Sequence, residues 1–513
     1  MRNQKLASYG LAILSGILLL LSFPPFNLGS FLAWIALVPL LVAIYNDKNL
    51  KRIGGLTIVS CIIGFVPIFI FFFSSEFMLM LPASLYLISW LIGIGLSIMI
   101  ALLYTDFFRI YWKPREFPTI KLQYLPPILQ IFILPIVWTA FQFLIMNIPI
   151  VMKVGGAFGM FSIAKTQWLN PPILQLASFT GMYGVTFLIL LVNCAIAYGI
   201  IHYKEIKRIS KQAIAVLLVF GVIFIGGWIS IPEPVPGDIT VAIIQVPPSE
   251  NVEDLYINLS EDALKYDPQI ISWAPTSIEE SLVLSYTNFS EKHNVYLMDP
   301  LVSPDGEIQS RDLAYHYFKT FDGVIPPNLD KIFPEIYPYE TGFGKIGYLL
   351  CQEGAWPFPA RKIVRNGADM ILTETGNYGF AVAGLFGGNA VYRAVENRVP
   401  VALSLWSGAG SIIVDPYGRV VDDIAPEPEI VAGKISFAGG NTFYAKYGDV
   451  FGWTILLLFG ALWVYNFYLK RKSPFKYCIR CNAKLKKDVK TCDQCGKKAD
   501  RGILGTLWNI IPP

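Results

Sequence analysis

Long apolar runs fill the first 232 residues and return once near the end, with charged residues almost wholly confined to the breaks between them. Crossing about 30 Å of hydrocarbon takes roughly 17–25 helical residues. Runs of about that length lie near 7–24, 30–45, 53–74, 82–105, 125–147, 172–201, 213–232 and 449–469. The pattern predicts seven helices within 1–232, an insert over 233–448, an eighth helix over 449–469, a polar tail over 470–500 and a short apolar stretch over 501–513.

The insert has a different rhythm. "DITVAIIQV" and "PQIISWAP" read as buried strands, and "VEDLYINLSEDALKYD" places Leu255, Leu259 and Leu264 at near-helical spacing between them. "KIGYLLC", "DMILTET" and "VPVALSLW" are further strands, separated by helices in "WPFPARKIVRNGA" and "AVYRAVENR", and "GSIIVDPYGRVV" closes as a hairpin. Strands alternating with helices predict layered α/β packing around a sheet.

Positive charge gives the runs an orientation, because Lys and Arg near helix ends collect on the cytoplasmic side. With the first connection inside, alternate connections carry Arg2 and Lys5; Lys48, Lys51 and Arg52; Arg109, Lys113, Arg115 and Lys121; Lys204, Lys207, Arg208 and Lys211; and Lys470, Arg471 and Lys472. Between them, "FPPFNLGS" and "SSEFMLML" carry none, and 148–171 carries Lys153 and Lys165 alone. The insert is therefore expected outside and the tail in the cytosol. A cleaved signal peptide is the competing reading of the first helix, but "SFPPFNLGS" lacks a small-residue cleavage site and its loss would break the alternation.

Composition agrees: 54% hydrophobic against 15% charged residues, with a mean hydropathy of +0.51, excludes an ordinary soluble protein of this length. The net charge of +4 gives no reason to expect a nucleic-acid partner.

The seven cysteines divide by place. Cys61 and Cys194 fall inside expected membrane helices, where a small apolar side chain suffices. Cys351 is the single thiol of the insert, so it has no disulfide partner there. It ends a strand, where α/β folds present reactive groups; a buried thiol acting as a small hydrophobe is the alternative. Cys478, Cys481, Cys492 and Cys495 form two Cys-x-x-Cys knuckles in "CIRCNAKLKKDVKTCDQC", a set suited to tetrahedral zinc. A cytosolic tail would be reducing, which favours a zinc ribbon over disulfides. Its lysines would keep it solvated or bring it to anionic headgroups, and a cytosolic docking partner is the role left to it. The final "ILGTLWNIIPP" is too short to span and is expected either on the membrane surface or disordered.

Two segments of the insert carry a resemblance. "GKIGYLLCQEG" resembles the nucleophile strand of the nitrilase, or carbon-nitrogen hydrolase, superfamily, and "VYRAVENRVPVAL" resembles its downstream Arg-Ala-x-Glu stretch. In the membrane region, 22–41 "SFPPFNLGSFLAWIALVPLL" and 169–198 "LNPPILQLASFTGMYGVTFLILLVNCAIAY" are similar to the apolipoprotein N-acyltransferase family. "PIVWTAFQFL" is similar to that family's fifth helix, with Gln142 where a glutamate is commoner. The resemblance implies a multi-pass α-helical membrane domain of eight helices carrying an extracytoplasmic nitrilase-like α/β four-layer sandwich. To this the chain adds its small C-terminal zinc ribbon.

The resemblance also implies a reaction that needs no cofactor. A cysteine takes an acyl chain from a membrane phospholipid as a thioester and passes it to the N-terminal amine of a lipoprotein acceptor, dividing one hard transfer into two easier ones. Cys351 matches the nucleophile and Glu353 the acid of the family's Cys-x-Glu pattern. Lys319, in "YHYFKTFDGVIP", is the best counterpart of the catalytic lysine, with Lys331 the competing choice. The family's catalytic glutamate follows a Trp-Pro pair, whereas this chain reads "SWAPTSIEE": Trp273 and Thr276 align, and Pro275 stands where the glutamate should be. Proline cannot accept a proton, so Glu279 or Glu280 reaches back, another carboxylate serves, or the reaction is lost. The family's Asn-Asp-Ala-Trp-Phe is replaced by "TETGNYGF", where Tyr378 and Phe380 would supply the apolar surface. The alternatives are a membrane-anchored amidase or acyltransferase of nitrilase type with another substrate, and a non-catalytic member that binds lipoproteins or scaffolds partners.

Overall fold

The computed structural model describes residues 2–24, 29–45, 50–73, 127–147, 162–234, 237–245, 252–273, 283–298, 301–305, 308–309, 336–375, 380–405, 410–423, 430–437, 439–472, 475–477, 484–486, 489–494 and 496. The expected span at 82–105 lies outside them.

Apolar helices form where the hydropathy pattern places them. They are α1 (Arg2–Ser22), α2 (Val38–Tyr45), α3 (Leu50–Phe73), α4 (Pro127–Asn147), the short α5 (Pro171–Leu174) and α6 (Ala177–Thr180), α7 (Met182–Ile206) and α8 (Lys211–Ser230). Among the described residues, Lys5–Ser22, Met182–Lys204 and Lys211–Ser230 are long and apolar enough to cross a membrane, and Ser30–Tyr45, Arg52–Ile68, Ile131–Asn147 and Val450–Tyr465 are shorter apolar helical stretches. Two spans differ from expectation. The run at 30–45 is a 3-10 turn over Ser30–Trp34 followed by α2. The run at 172–201 is broken at Gly181, whose φ of 63° lies in the left-handed region that glycine adopts without steric cost. A Cβ at Gly181 would also stand 2.6 Å from the Tyr444 ring, so the continuous helix begins only at Met182.

Among the described residues, the insert folds as two six-stranded sheets. The first has the order β12-β1-β2-β3-β4-β5, from β1 (Ile239–Ile244), β2 (Ile270–Trp273), β3 (Tyr296–Met298), β4 (Leu301–Val302), β5 (Ile308–Gln309) and β12 (Ile430–Ile435). The second has the order β11-β10-β9-β8-β7-β6, from β6 (Tyr339–Thr341), β7 (Gly344–Leu350), β8 (Met370–Thr375), β9 (Val401–Leu405), β10 (Ile412–Val414) and β11 (Val420–Asp423). Within each sheet three neighbours run parallel, β1-β2-β3 and β7-β8-β9. β1 also pairs antiparallel with β12, setting the two ends of the insert side by side.

Side-chain alternation sorts each strand's residues into two cores. Val241, Ile243 and Ile270 meet Ile346, Tyr348, Met370 and Leu372 between the sheets. Ala242, Ile244, Ile271 and Trp273 face outward onto Tyr256 and Leu259 of α9 (Val252–Ala263) and Phe289 of α10 (Val283–His293). On the other side, Leu349, Ile371 and Leu403 face α11 (Pro357–Arg365) and α12 (Phe380–Asn397). The layers are helix, sheet, sheet, helix. The second helix layer shares one continuous core with the membrane helices, including Leu19, Leu174 and Val185.

Polar groups stitch that seam. Small residues on α12 admit the membrane segments: a Cβ at Gly384 would lie 2.5 Å from Pro24, and one at Gly388 3.0 Å from the Lys165 side chain. The Lys165 amine, buried in the 3-10 turn Ile163–Gln167, donates to Leu385 O at 2.8 Å and to Asn389 Oδ1. Burial, then the neighbouring Arg393 charge, pushes its pKa well below the ordinary lysine value against the pull of Glu396. The buried Arg393 and Glu396 pair at 2.7 Å, and Glu396 accepts the Met182 N–H that opens α7 at 2.9 Å. Arg361 of α11 pairs with Asp449 at 2.7 Å, just before the last apolar helix, α14 (Val450–Lys472), which follows the short α13 (Phe443–Tyr447). In the tail, β13 (Phe475–Tyr477) and β14 (Lys484–Lys486) form an antiparallel hairpin.

Candidate active site

β7 is a short buried strand because its apolar residues fill both cores: Ile346 and Tyr348 lie between the sheets and Leu349 faces the helix layer. It ends at Leu350, and Cys351 opens a 3-10 turn over Cys351–Ala355 that hands the chain to α11. Pro357 suits the first turn of α11, since its missing N–H would have no intrahelical partner there. The structure describes the backbone of Cys351, and that backbone occupies the carboxyl end of a parallel strand, the position the sequence predicts.

The turn is pressed tightly onto β8. A Cβ at Gly354 would collide with Thr373 Oγ1, so glycine is what lets the turn sit there. Glu353 is 1% exposed. It is therefore not a solvated surface acid, and a carboxylate is buried two residues after the cysteine.

A second buried acid lies on the neighbouring strand. β7 and β8 run parallel in a register that sets Leu350 opposite Glu374. Glu374 is fully buried, and its Oε2 accepts a hydrogen bond of 2.8 Å from the Tyr348 hydroxyl on β7. The sequence reading passed over Glu374. An acid at the end of the buried strand in "DMILTET", in phase with Met370 and Leu372, was the available signal, since a buried carboxylate is costly without a role.

Trp273 packs away from the space between the sheets, against the Tyr256 ring at 5.3 Å, and donates its Nε1–H to Ser260 Oγ at 3.0 Å. It anchors the end of β2. Pro275, Thr276, Glu279, Glu280, Lys319, Lys331 and Tyr378 lie outside the described residues, and of Phe380 the backbone alone is described, as the first residue of α12. In the tail, Cys492 is buried, and Cys478, Cys481 and Cys495 lie outside the described residues. Among the described residues no group of three His, Cys, Asp or Glu could hold a metal ion.

Two family models match the chain in succession: the apolipoprotein N-acyltransferase N-terminal domain over residues 15–195 and carbon-nitrogen hydrolase over residues 193–441. Among relatives, the apolipoprotein N-acyltransferase of Geobacter metallireducens is 26% identical over 91% of this chain and 96% of its own length. That of Thermotoga maritima is 24% identical over 89% of this chain and 93% of its own. A solved carbon-nitrogen hydrolase from Helicobacter pylori is 14% identical with a TM-score of 0.32, over 44% of this chain and 94% of that one. With the membrane half and the two-sheet half matched in the order in which they fold, the chain belongs to the apolipoprotein N-acyltransferase family.

Proposed function

We propose that this protein transfers an acyl chain from a membrane phospholipid, through a thioester on Cys351, to the N-terminal amine of a lipoprotein. One observation carries the reading: Cys351 opens the turn at the end of β7, in the sheet whose helix layer is fused to the membrane helices. A nucleophile in that half of the sandwich sits toward a membrane from which both lipid substrates must come.

In the first step the Cys351 thiolate attacks the ester carbonyl, the C–S bond forms, and the lysophospholipid leaves with the proton the thiol gave up. In the second the acceptor amine attacks the thioester and the thiol is restored. Lys319, or Lys331 in its place, would stabilise the tetrahedral oxyanion, and Glu353 would hold the turn and the proton inventory around it. A carboxylate near β2, Glu279 or Glu280, is the assignment that the sequence offers for the base.

Membrane crossing by eight helices, the α/β domain outside and the tail in the cytosol follow from the positive-charge alternation. The tail cysteines are assigned to one zinc ion. The strands β13 and β14 flank the first knuckle in sequence, Cys492 of the second is buried, and four thiolates are a donor set that zinc favours. Metal analysis of the purified chain should find about one zinc per chain, lost on replacing Cys492 with serine.

The direct test of the activity incubates the purified full-length protein with phospholipid vesicles and a diacylglyceryl peptide. Peptide mass should rise by one acyl chain, a thioester adduct should map to Cys351, and Cys351→Ala should abolish both. Amide formation by Cys351→Ala at the wild-type rate would sink the proposal.

A further inference from the structure

Pro275 stands where the family's catalytic glutamate should be, Glu279 and Glu280 are offered for its role by sequence position alone, and Glu374 is a buried acid near the nucleophile strand's end. Glu374 lies on β8 opposite Leu350, the residue before Cys351. Neighbouring strands lie about 4.8 Å apart, and one more residue adds at most about 3.8 Å between Cα atoms. The backbone of the nucleophile is therefore within reach of a glutamate side chain. The close contact of Gly354 with Thr373 holds the turn against this same end of β8.

Glu374 also faces the right space. Tyr348 lies in the core between the sheets, and its hydroxyl binds Glu374 Oε2, so the carboxylate lies on that inner face. On β2, Trp273 faces the helices, and alternation turns the fully buried Ser272 inward. The last inward residue of β2 before the place of the family's glutamate thus faces the layer between the sheets, the layer into which Glu374 points from β8.

We propose that Glu374 is the general base for Cys351, supplied by β8 in place of the carboxylate lost at Pro275. The assignment rests on Cys351 being the nucleophile. Glu374 takes the Sγ proton as the C–S bond forms and returns it to the lysophospholipid alkoxide as the C–O bond breaks. In the second step it takes a proton from the acceptor amine and gives it to the departing thiolate. No co-reactant is needed, and Tyr348 acts as the positioning residue that fixes the carboxylate.

The test uses the full-length protein in nanodiscs of phosphatidylethanolamine and phosphatidylglycerol, with two readouts. One is the rate of thioester formation; the other is the pH dependence of iodoacetamide alkylation mapped to Cys351. Glu374→Gln keeps the size of the side chain and an acceptor for Tyr348. It should slow thioester formation by roughly 10²–10⁴-fold and move the alkylation profile to higher pH, with the thermal midpoint unchanged. Tyr348→Phe should show a smaller loss in the same direction. Glu374→Asp keeps the acid and should keep the low-pH limb of the profile. If Glu374→Gln alkylates with the wild-type profile, or if Glu374→Asp behaves as the glutamine variant does, Glu374 is not the base. Wild-type protein whose alkylation depends on Glu374 but which forms no thioester would uphold the base and overturn acyl transfer.

Discussion

The two helix layers of the sandwich cover similar sheets with opposite kinds of surface. α9 is amphipathic in the ordinary way: Tyr256 and Leu259 face its sheet while Asp254, Asn258, Glu261 and Asp262 face solvent. α12 has no polar outer face; from Leu385 to Asn397 every residue is buried, and the charges it carries, Arg393 and Glu396, are buried with it. The same fold element becomes a lid toward solvent in one layer and a seat for the membrane helices in the other. Glycines and an internal ion pair make the difference.

That contrast can be broken most severely at the ion pairs. Glu396→Ala leaves Arg393 buried and uncompensated, and should cost about 3–5 kcal/mol of stability, read as a lowered thermal midpoint in detergent. Glu261→Ala removes the corresponding contact of the other layer, a 3.9 Å pair with Lys292 whose side chains are 53% and 67% exposed. It should change stability by about 0–1 kcal/mol.

The seam should also respond to pH where the solvent layer does not. Burial, outweighing the opposing pull of Arg393, raises the Glu396 carboxyl from its ordinary 4.5 to about 7. The folded chain then holds a proton that the unfolded chain releases, so this contribution is fully present below pH 4.5 and is lost as pH rises to about 7. A shift of this size corresponds to roughly 3 kcal/mol. Thermal midpoints of wild type and Glu396→Gln across pH 4.5–8 should diverge in slope; parallel curves would refute the linkage.

Smaller effects sharpen the comparison further. Gly384→Leu forces a side chain into Pro24 and should cost about 1–3 kcal/mol, whereas Asn258→Leu on the exposed face of α9 should stay within about 0.5 kcal/mol. Trp273→Phe keeps the packing against Tyr256 but removes the donor to Ser260, and should lower stability by about 1 kcal/mol in chemical denaturation.

Much of this was legible in the sequence. The strands at 239–244, 270–273, 344–350, 370–375 and 401–405 form, to within one residue, in the stretches that hydrophobic pattern indicates, because each is long enough to fill both cores. β3 and β12 were not foreseen: Tyr296–Met298 is three residues long, and Ile430–Ile435 mixes Ala and Gly into its pattern. The break at Gly181 was hidden because hydropathy reads through a positive φ without registering it. At the candidate site, cysteine count, strand position and the family resemblance together pointed to Cys351. Glu374 escaped because its neighbour Leu350 is close only through strand register, and register is a property of the folded sheet.

The pairing of β1 with β12 sets a waiting time on synthesis. Ile244 needs Ile430 as its partner, 186 residues later in the chain. At about 5–20 residues per second, an open strand edge persists for roughly 10–40 s after β1 emerges. For that interval the growing domain displays "ITVAII", an apolar, β-branched edge of the kind that recruits other chains. Cellular factors that shield nascent strands should therefore matter more to this protein's yield than its final stability would indicate.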